Sequence, residues 1–334
     1  MTWPGPERMP VRHRSVCIVG ATASVLCLIY FSIAATRVWR GAHLTVIAQM
    51  LPSLMRASVP LLLGYATAAL GWLALLRWLG CRVPATSGAG IFLSTQFAKY
   101  LPGNVGHYIG RVGLAVQRGY RGSTVALSMV VELGILLAIG AAFSLPLLNV
   151  GVQRLQQAWG GASFARVGLI AVLALLMLLA AVGWRFRSRL LEGARTWAAE
   201  LRTALQNGSS LRWLGLAAAL AVVGFCLSGL SLVTLAEPDA GVGSPNALLV
   251  VSLFSVAWGV GLLTPGLPAG LGIRDAILVQ GLTPLVGEAQ AVWSASLFRV
   301  LTTLADAIAF AIGLLLLKVG PEAIRSEPQD HQVT

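Results

Sequence analysis

Three ionisable residues, Glu132, Arg299 and Asp306, fall inside long apolar runs, and four basic ones, Lys99, His107, Arg111 and Arg274, flank two Pro-Gly pairs. Charge at bilayer depth is expensive, so such residues pair with one another or line a polar pathway. Seven residues separate Pro102-Gly103 from Arg111, and seven separate Pro265-Gly266 from Arg274. A guanidinium can hold a phosphate with two parallel hydrogen bonds, and the free N–H groups of a helix start add to such a site. Gly103, Gly106, Gly270 and Gly272 would let a ligand approach the backbone closely. Arg111 and Arg274 are the expected anion contacts, with snorkelling to an interface as the plain alternative. His107 is more simply a hydrogen-bonding structural residue than a proton carrier.

Glu132 and Arg299 lie at similar depths in corresponding runs, so the sequence predicts that they pair with each other. Whether such a pair lines a pathway or only joins two helices stays open. Arg299 and Asp306 share one helical face but lie about 10 Å apart along the axis, too far for a direct pair.

Catalytic chemistry finds little support. The 12 acids include no carboxylate pair within an apolar run, and the chain has no HExxH, P-loop or GxSxG motif. Glu237 and Asp239 read as solvated loop residues. The expectation is a protein that is not an enzyme, with no catalytic residues, no cofactor and no metal site. Cys17, Cys27, Cys81 and Cys226 show no ligand or redox spacing and read as free thiols.

The elements that must position these residues are membrane helices. The 334 residues are 57% hydrophobic and 11% charged, and the mean hydropathy is +0.79, a balance no soluble core of this size accommodates. The net charge of +12 is scattered between apolar runs, so it reads as topology and headgroup signals, with no nucleic-acid partner. Runs near 16–36, 57–79, 123–148, 165–183, 211–235 and 289–317 are each long enough to span. The first follows Arg8, Arg12 and Arg14 and reads as a retained anchor without a clear cleavage site. Two further stretches, 86–98 and 247–264, are short and run into the Pro-Gly pairs.

Each half thus reads as span, span, broken segment, span. If the broken segments dip in and return, sixteen basic residues face one side against six on the other. If they cross, the arginine-rich stretch 184–212 falls outside and the positive-inside rule fails. The expected fold is all-α and polytopic, with six full transmembrane helices and two broken re-entrant hairpins in an inverted repeat. Residues 1–15 and 319–334 are cytoplasmic tails. Residues 16–318 form the membrane domain, with repeats near 16–149 and 165–318. Segment 184–212 suits an amphipathic helix on the anionic leaflet. Inverted repeats with discontinuous helices are a transporter plan, with the substrate near the midplane.

FAKYLPGNVGHYIGR and LPAGLGIRDAILV resemble motifs of the flippase-like membrane domain of bacterial lysylphosphatidylglycerol synthases, over about residues 15–318. The first motif is matched by Lys99, Tyr100, Pro102, Gly103 and Arg111, and the second by Pro268, Gly270, Leu271, Gly272 and Arg274. Ala269 replaces a usual glycine, and Asp275 a usual glutamate. The soluble aminoacyl-transfer domain of those synthases has no counterpart here.

The resemblance implies a bacterial inner-membrane protein that moves an anionic phospholipid, an aminoacylated phospholipid or a polyprenyl-linked glycolipid between leaflets. The substrate-binding set becomes Lys99, Pro102, Gly103, His107, Arg111, Gly270, Gly272, Arg274 and Asp275, beside an intramembrane network of Glu132, Arg299 and Asp306. The rival is a non-transporting partner of a separate lipid synthase or glycosyltransferase, docking through 184–212. A membrane-embedded transferase would need an acid or metal site that the sequence does not offer.

Overall fold

The structure, a computed structural model, describes residues 36, 44–100, 105–159, 197–198, 201–202, 211–239, 243–264, 270 and 272–319. Among them every regular element is helical. In chain order these are α1 (Leu44–Trp78), α2 (Ala85–Thr95) with a 3-10 turn over Gln96–Tyr100, α3 (Gly106–Gln117) and α4 (Gly122–Trp159). Then follow α5 (Leu211–Ala236), α6 (Ala247–Leu263), α7 (Ile273–Val286) and α8 (Glu288–Val319).

Four stretches, Leu51–Trp78, Gly122–Leu147, Leu211–Ala236 and Glu288–Val319, are long and apolar enough to cross a membrane. They coincide with four of the six runs expected to span. The first starts earlier than expected because α1 absorbs Pro52 and Pro60 within the helix, as transmembrane helices do where neighbours re-satisfy the freed carbonyls. Apart from residues 36 and 319, the runs 16–36 and 165–183, most of segment 184–212 and both tails lie outside the described residues.

The remaining helices are short. α2 has 11 residues and α3 has 12, so each rises under 20 Å at about 1.5 Å per residue, against a hydrocarbon core of about 30 Å. α6 and α7 have 17 and 14 residues and also fall short. Both halves therefore share one order: long helix, short helix, break, short helix, long helix.

The halves interlock. α1 and α5 run side by side where small residues let the backbones close up: a Cβ on Gly224 would lie 2.9 Å from Thr67 Oγ1, and one on Gly64 3.3 Å from Ser228 Oγ. α2 packs on α8 of the other half, and α6 packs on α4 of the first. The α2–α8 crossing is closest at Gly313, where a Cβ would meet the Ser94 amide nitrogen at 2.2 Å.

Side-chain contacts define two ends. At one, the Arg77 guanidinium lies 4.9 Å from the Trp213 ring, and Arg118 Nη2 donates to the Leu317 carbonyl at 2.8 Å, supporting the end of α8. At the other, Arg56 Nη2 donates to the Pro238 carbonyl at 3.1 Å, and Gln290 and Ser294 donate to the Leu235 carbonyl at 2.8 and 3.0 Å. The α2–α3 pair is preceded by Arg77 and followed by Arg118, both at the first end, and the α6–α7 pair is preceded by Pro238 and followed by Gln290, both at the second.

Candidate functional site

Between the halves lies a cavity of about 280 Å³, lined from α1 through α8. One wall is apolar and small-residued, including Leu61, Ala68, Gly71, Ala217, Leu220 and Ala221. The polar part of the lining gathers Lys99, His107, Arg111, Glu132, Arg274, Arg299 and Asp306. Most of the ionisable residues singled out in the sequence therefore share one chamber, while Pro102, Gly103, Pro268 and Leu271 lie outside the described residues.

Three ion pairs organise the polar wall. Arg111 Nη1 donates to Glu132 Oε2 at 2.6 Å, from α3 to α4. Its guanidinium sits 4.3 Å from the Phe92 ring and 5.1 Å from that of Trp72, and Trp72 is fixed by its Nε1 donating to Ser128 Oγ at 2.9 Å. Arg299 Nη2 donates to Asp275 Oδ2 at 3.0 Å, from α8 to α7. Lys99 Nζ donates to Asp306 Oδ1 at 2.7 Å, from the 3-10 turn to α8.

The expected Glu132–Arg299 pair does not form, because each is intercepted by the short helix of its own half. Tight turns at 118–121 and at Gly287 fold α3 back on α4 and α7 back on α8, so the hairpin residues reach these charges first. The two clamps join corresponding helices, α3 to α4 and α7 to α8, with opposite sign: the short helix supplies the cation in the first half and the acid in the second. Arg299 and Asp306 make no direct pair, as their spacing predicts.

Asp306 is fully buried. Besides Lys99 it accepts hydrogen bonds from the Tyr65 hydroxyl and, at Oδ2, from the Tyr100 hydroxyl at 2.8 Å. Three donors on one carboxylate compensate the cost of burying its charge.

Arg274 differs from the other three cations. Its guanidinium lies 5.3 Å from the Phe254 ring and 5.5 Å from the Phe298 ring, and among the described residues it makes no ion pair or hydrogen bond. Cation–π contact with two phenylalanines orients a guanidinium while leaving its donors available. With Lys99, Arg111 and Arg299 each neutralised, Arg274 is the uncompensated positive charge of the chamber's described wall.

Gly270 and Gly272 serve the fold itself. The space beside Gly270 (φ +67°) is filled by the backbone of α6, since a Cβ there would lie 3.1 Å from Gly261 Cα. Gly272 (φ +85°) caps α7, its N–H donating to Asp275 Oδ2 at 3.1 Å. The Gly272 N–H is thus taken by Asp275 within the chain. His107 is half-buried, and its Nδ1 finds no hydrogen-bond partner among the described residues.

Sequence reasoning missed Tyr65 and the aromatic rings beneath the cations, Trp72, Phe92, Phe254 and Phe298. Tyr65 was signalled by a polar-tipped ring inside an apolar run, a residue that needs a buried partner. The phenylalanines carried no such mark.

Helices of spanning length, broken shorter helices and an ion-paired chamber between two similarly ordered halves define an all-helical membrane protein. Residues 17–309 match the family described as the lysylphosphatidylglycerol synthase TM region. The chain belongs to that family, which associates it with membrane lipid. Comparison with curated proteins finds no match.

Proposed function

We propose that this chain is a lipid translocase that passes a lipid with an anionic phosphodiester headgroup through the chamber while the acyl chains stay in the bilayer. The observation that carries this reading is Arg274: a guanidinium that faces the cavity, steadied by Phe254 and Phe298, with no anion of its own among the described residues. A single phosphodiester charge supplies what the chamber lacks. The apolar α1–α5 wall suits the start of the acyl chains, and the polar wall suits the headgroup.

The two short-helix pairs support alternating access. They enter from opposite ends, and each packs on the last helix of the other half, the arrangement expected of re-entrant hairpins in an inverted repeat. Arg77, Arg82, Arg118, Arg121, Arg212 and Lys318 fall at or beside one end, which the positive-inside rule makes cytoplasmic. Arg111 is the counterpart of Arg274 and is held by Glu132. In this scheme it takes the phosphate when that pair opens, so the headgroup is handed between two guanidinium sites.

Native mass spectrometry of lipid retained by the purified protein tests the reading. Wild type should keep an anionic lipid that Arg274→Ala loses, with both proteins folded. Equal retention by the two, or equal retention of glycerophosphoglycerol, which lacks acyl chains, would contradict it.

A further inference from the structure

The second cation site of the chamber is occupied by the chain itself. Lys99 Nζ lies 2.7 Å from Asp306 Oδ1, 3.4 Å from the Tyr65 hydroxyl, and 5.7 and 5.9 Å from the Tyr65 and Tyr100 ring centres. A buried carboxylate beside two aromatic rings is a recognition site for an ammonium. Lys99, Tyr65, Tyr100 and Asp306 all line the chamber that holds Arg274, so this seat borders the space a headgroup at Arg274 would enter.

We propose that Lys99 fills the ammonium seat as a tethered occupant, so that the chamber selects phosphodiester lipids with a neutral, hydroxyl-bearing headgroup and rejects those carrying an amine. This rests on the translocase reading and names the substrate class of the same site. An incoming amine must displace a covalently attached competitor of high effective concentration. The displaced Lys99 would then lie in a partly buried wall that already carries Arg274 and Arg299, without its carboxylate. A hydroxyl-bearing headgroup such as glycerol or a sugar meets no such obstacle, and His107 Nδ1 in the same lining, without a partner among the described residues, offers it a hydrogen bond.

The test compares three lipids by native mass spectrometry under competition: phosphatidylglycerol, phosphatidylethanolamine and lysylphosphatidylglycerol. Wild type should prefer phosphatidylglycerol, and Lys99→Gln should shift the ratio toward the two amine lipids by about tenfold or more, the worth of one hydrogen bond to a charged group. Lys99→Gln/Asp306→Asn removes both charges, so it leaves no unpaired buried carboxylate and no ammonium seat. It should keep the wild-type ratio and thereby separate selectivity from misfolding.

A wild-type preference for an amine lipid would overturn the proposal, as would a ratio unchanged in Lys99→Gln, or a double variant that gains amine binding equally. Arg274→Ala, run alongside, tells the two failures apart. If anionic lipid still depends on Arg274 while the ratio ignores Lys99, only the selectivity falls. If retention ignores Arg274 as well, the translocase reading falls with it.

Discussion

At the scale of single residues, the chamber is a set of charges whose partners decide what each can do. Arg111 and Arg274 stand at the same interval from their Pro-Gly pairs, yet the first is bound to Glu132 and the second has no ion pair among the described residues. Glu132→Gln should therefore release Arg111 and raise retention of anionic lipid several-fold in the purified protein. The same change breaks a largely buried pair, so thermal unfolding should show a loss on the order of 3 kcal/mol. Arg111→Glu/Glu132→Arg should recover part of that stability. The sequence identified nearly all of these residues, because an ionisable group inside an apolar run has few other reasons to be there. It misassigned the partner of Glu132, because position along a helix fixes depth and face but not which neighbouring helix arrives. The intercepting hairpin is a tertiary fact, carried by the short turns at 118–121 and at Gly287.

At the scale of elements, the long helices follow from hydropathy and length alone, and the short ones from the breaks at the Pro-Gly pairs. What sequence could not supply is the exchange by which α2 packs on α8 and α6 on α4. It depends on glycines whose significance lies in what faces them. Gly313 has the Ser94 backbone where a Cβ would go, whereas Gly134 on α4 has nothing within 4 Å. Gly313→Ala should lower stability by about 1–3 kcal/mol, as forced overpacking does. Gly134→Ala should be neutral or slightly stabilising, since alanine favours the helix. Thermal unfolding of the two variants in one detergent checks the contrast. Equal effects would mean that the α2–α8 crossing is looser than its geometry implies.

At the scale of the whole molecule, the repeated order of the halves was legible from the matching intervals to Arg111 and Arg274. The sense in which they face one another rested only on counting arginines. The contacts at the two ends establish that α1 and α5 run antiparallel, since Arg77 meets Trp213 at one and Arg56 meets Pro238 at the other. In a chain whose native cysteines are replaced by serine, Arg82→Cys and Asp239→Cys should react with a membrane-impermeant maleimide from opposite faces. The first should be reached from the cytoplasmic side and the second from the outer side. Labelling of both from one face would contradict the inverted arrangement and, with it, the exchange of a headgroup between Arg111 and Arg274.

The most direct test of translocation is leaflet exchange in sealed vesicles containing the purified protein and acyl-chain-labelled phosphatidylglycerol, read as label becoming accessible to dithionite. Wild type should move the lipid faster than protein-free vesicles, and Arg274→Ala should fall to the protein-free rate while remaining folded and inserted. Exchange by wild type no faster than protein-free vesicles, or undiminished exchange in Arg274→Ala, would contradict the account.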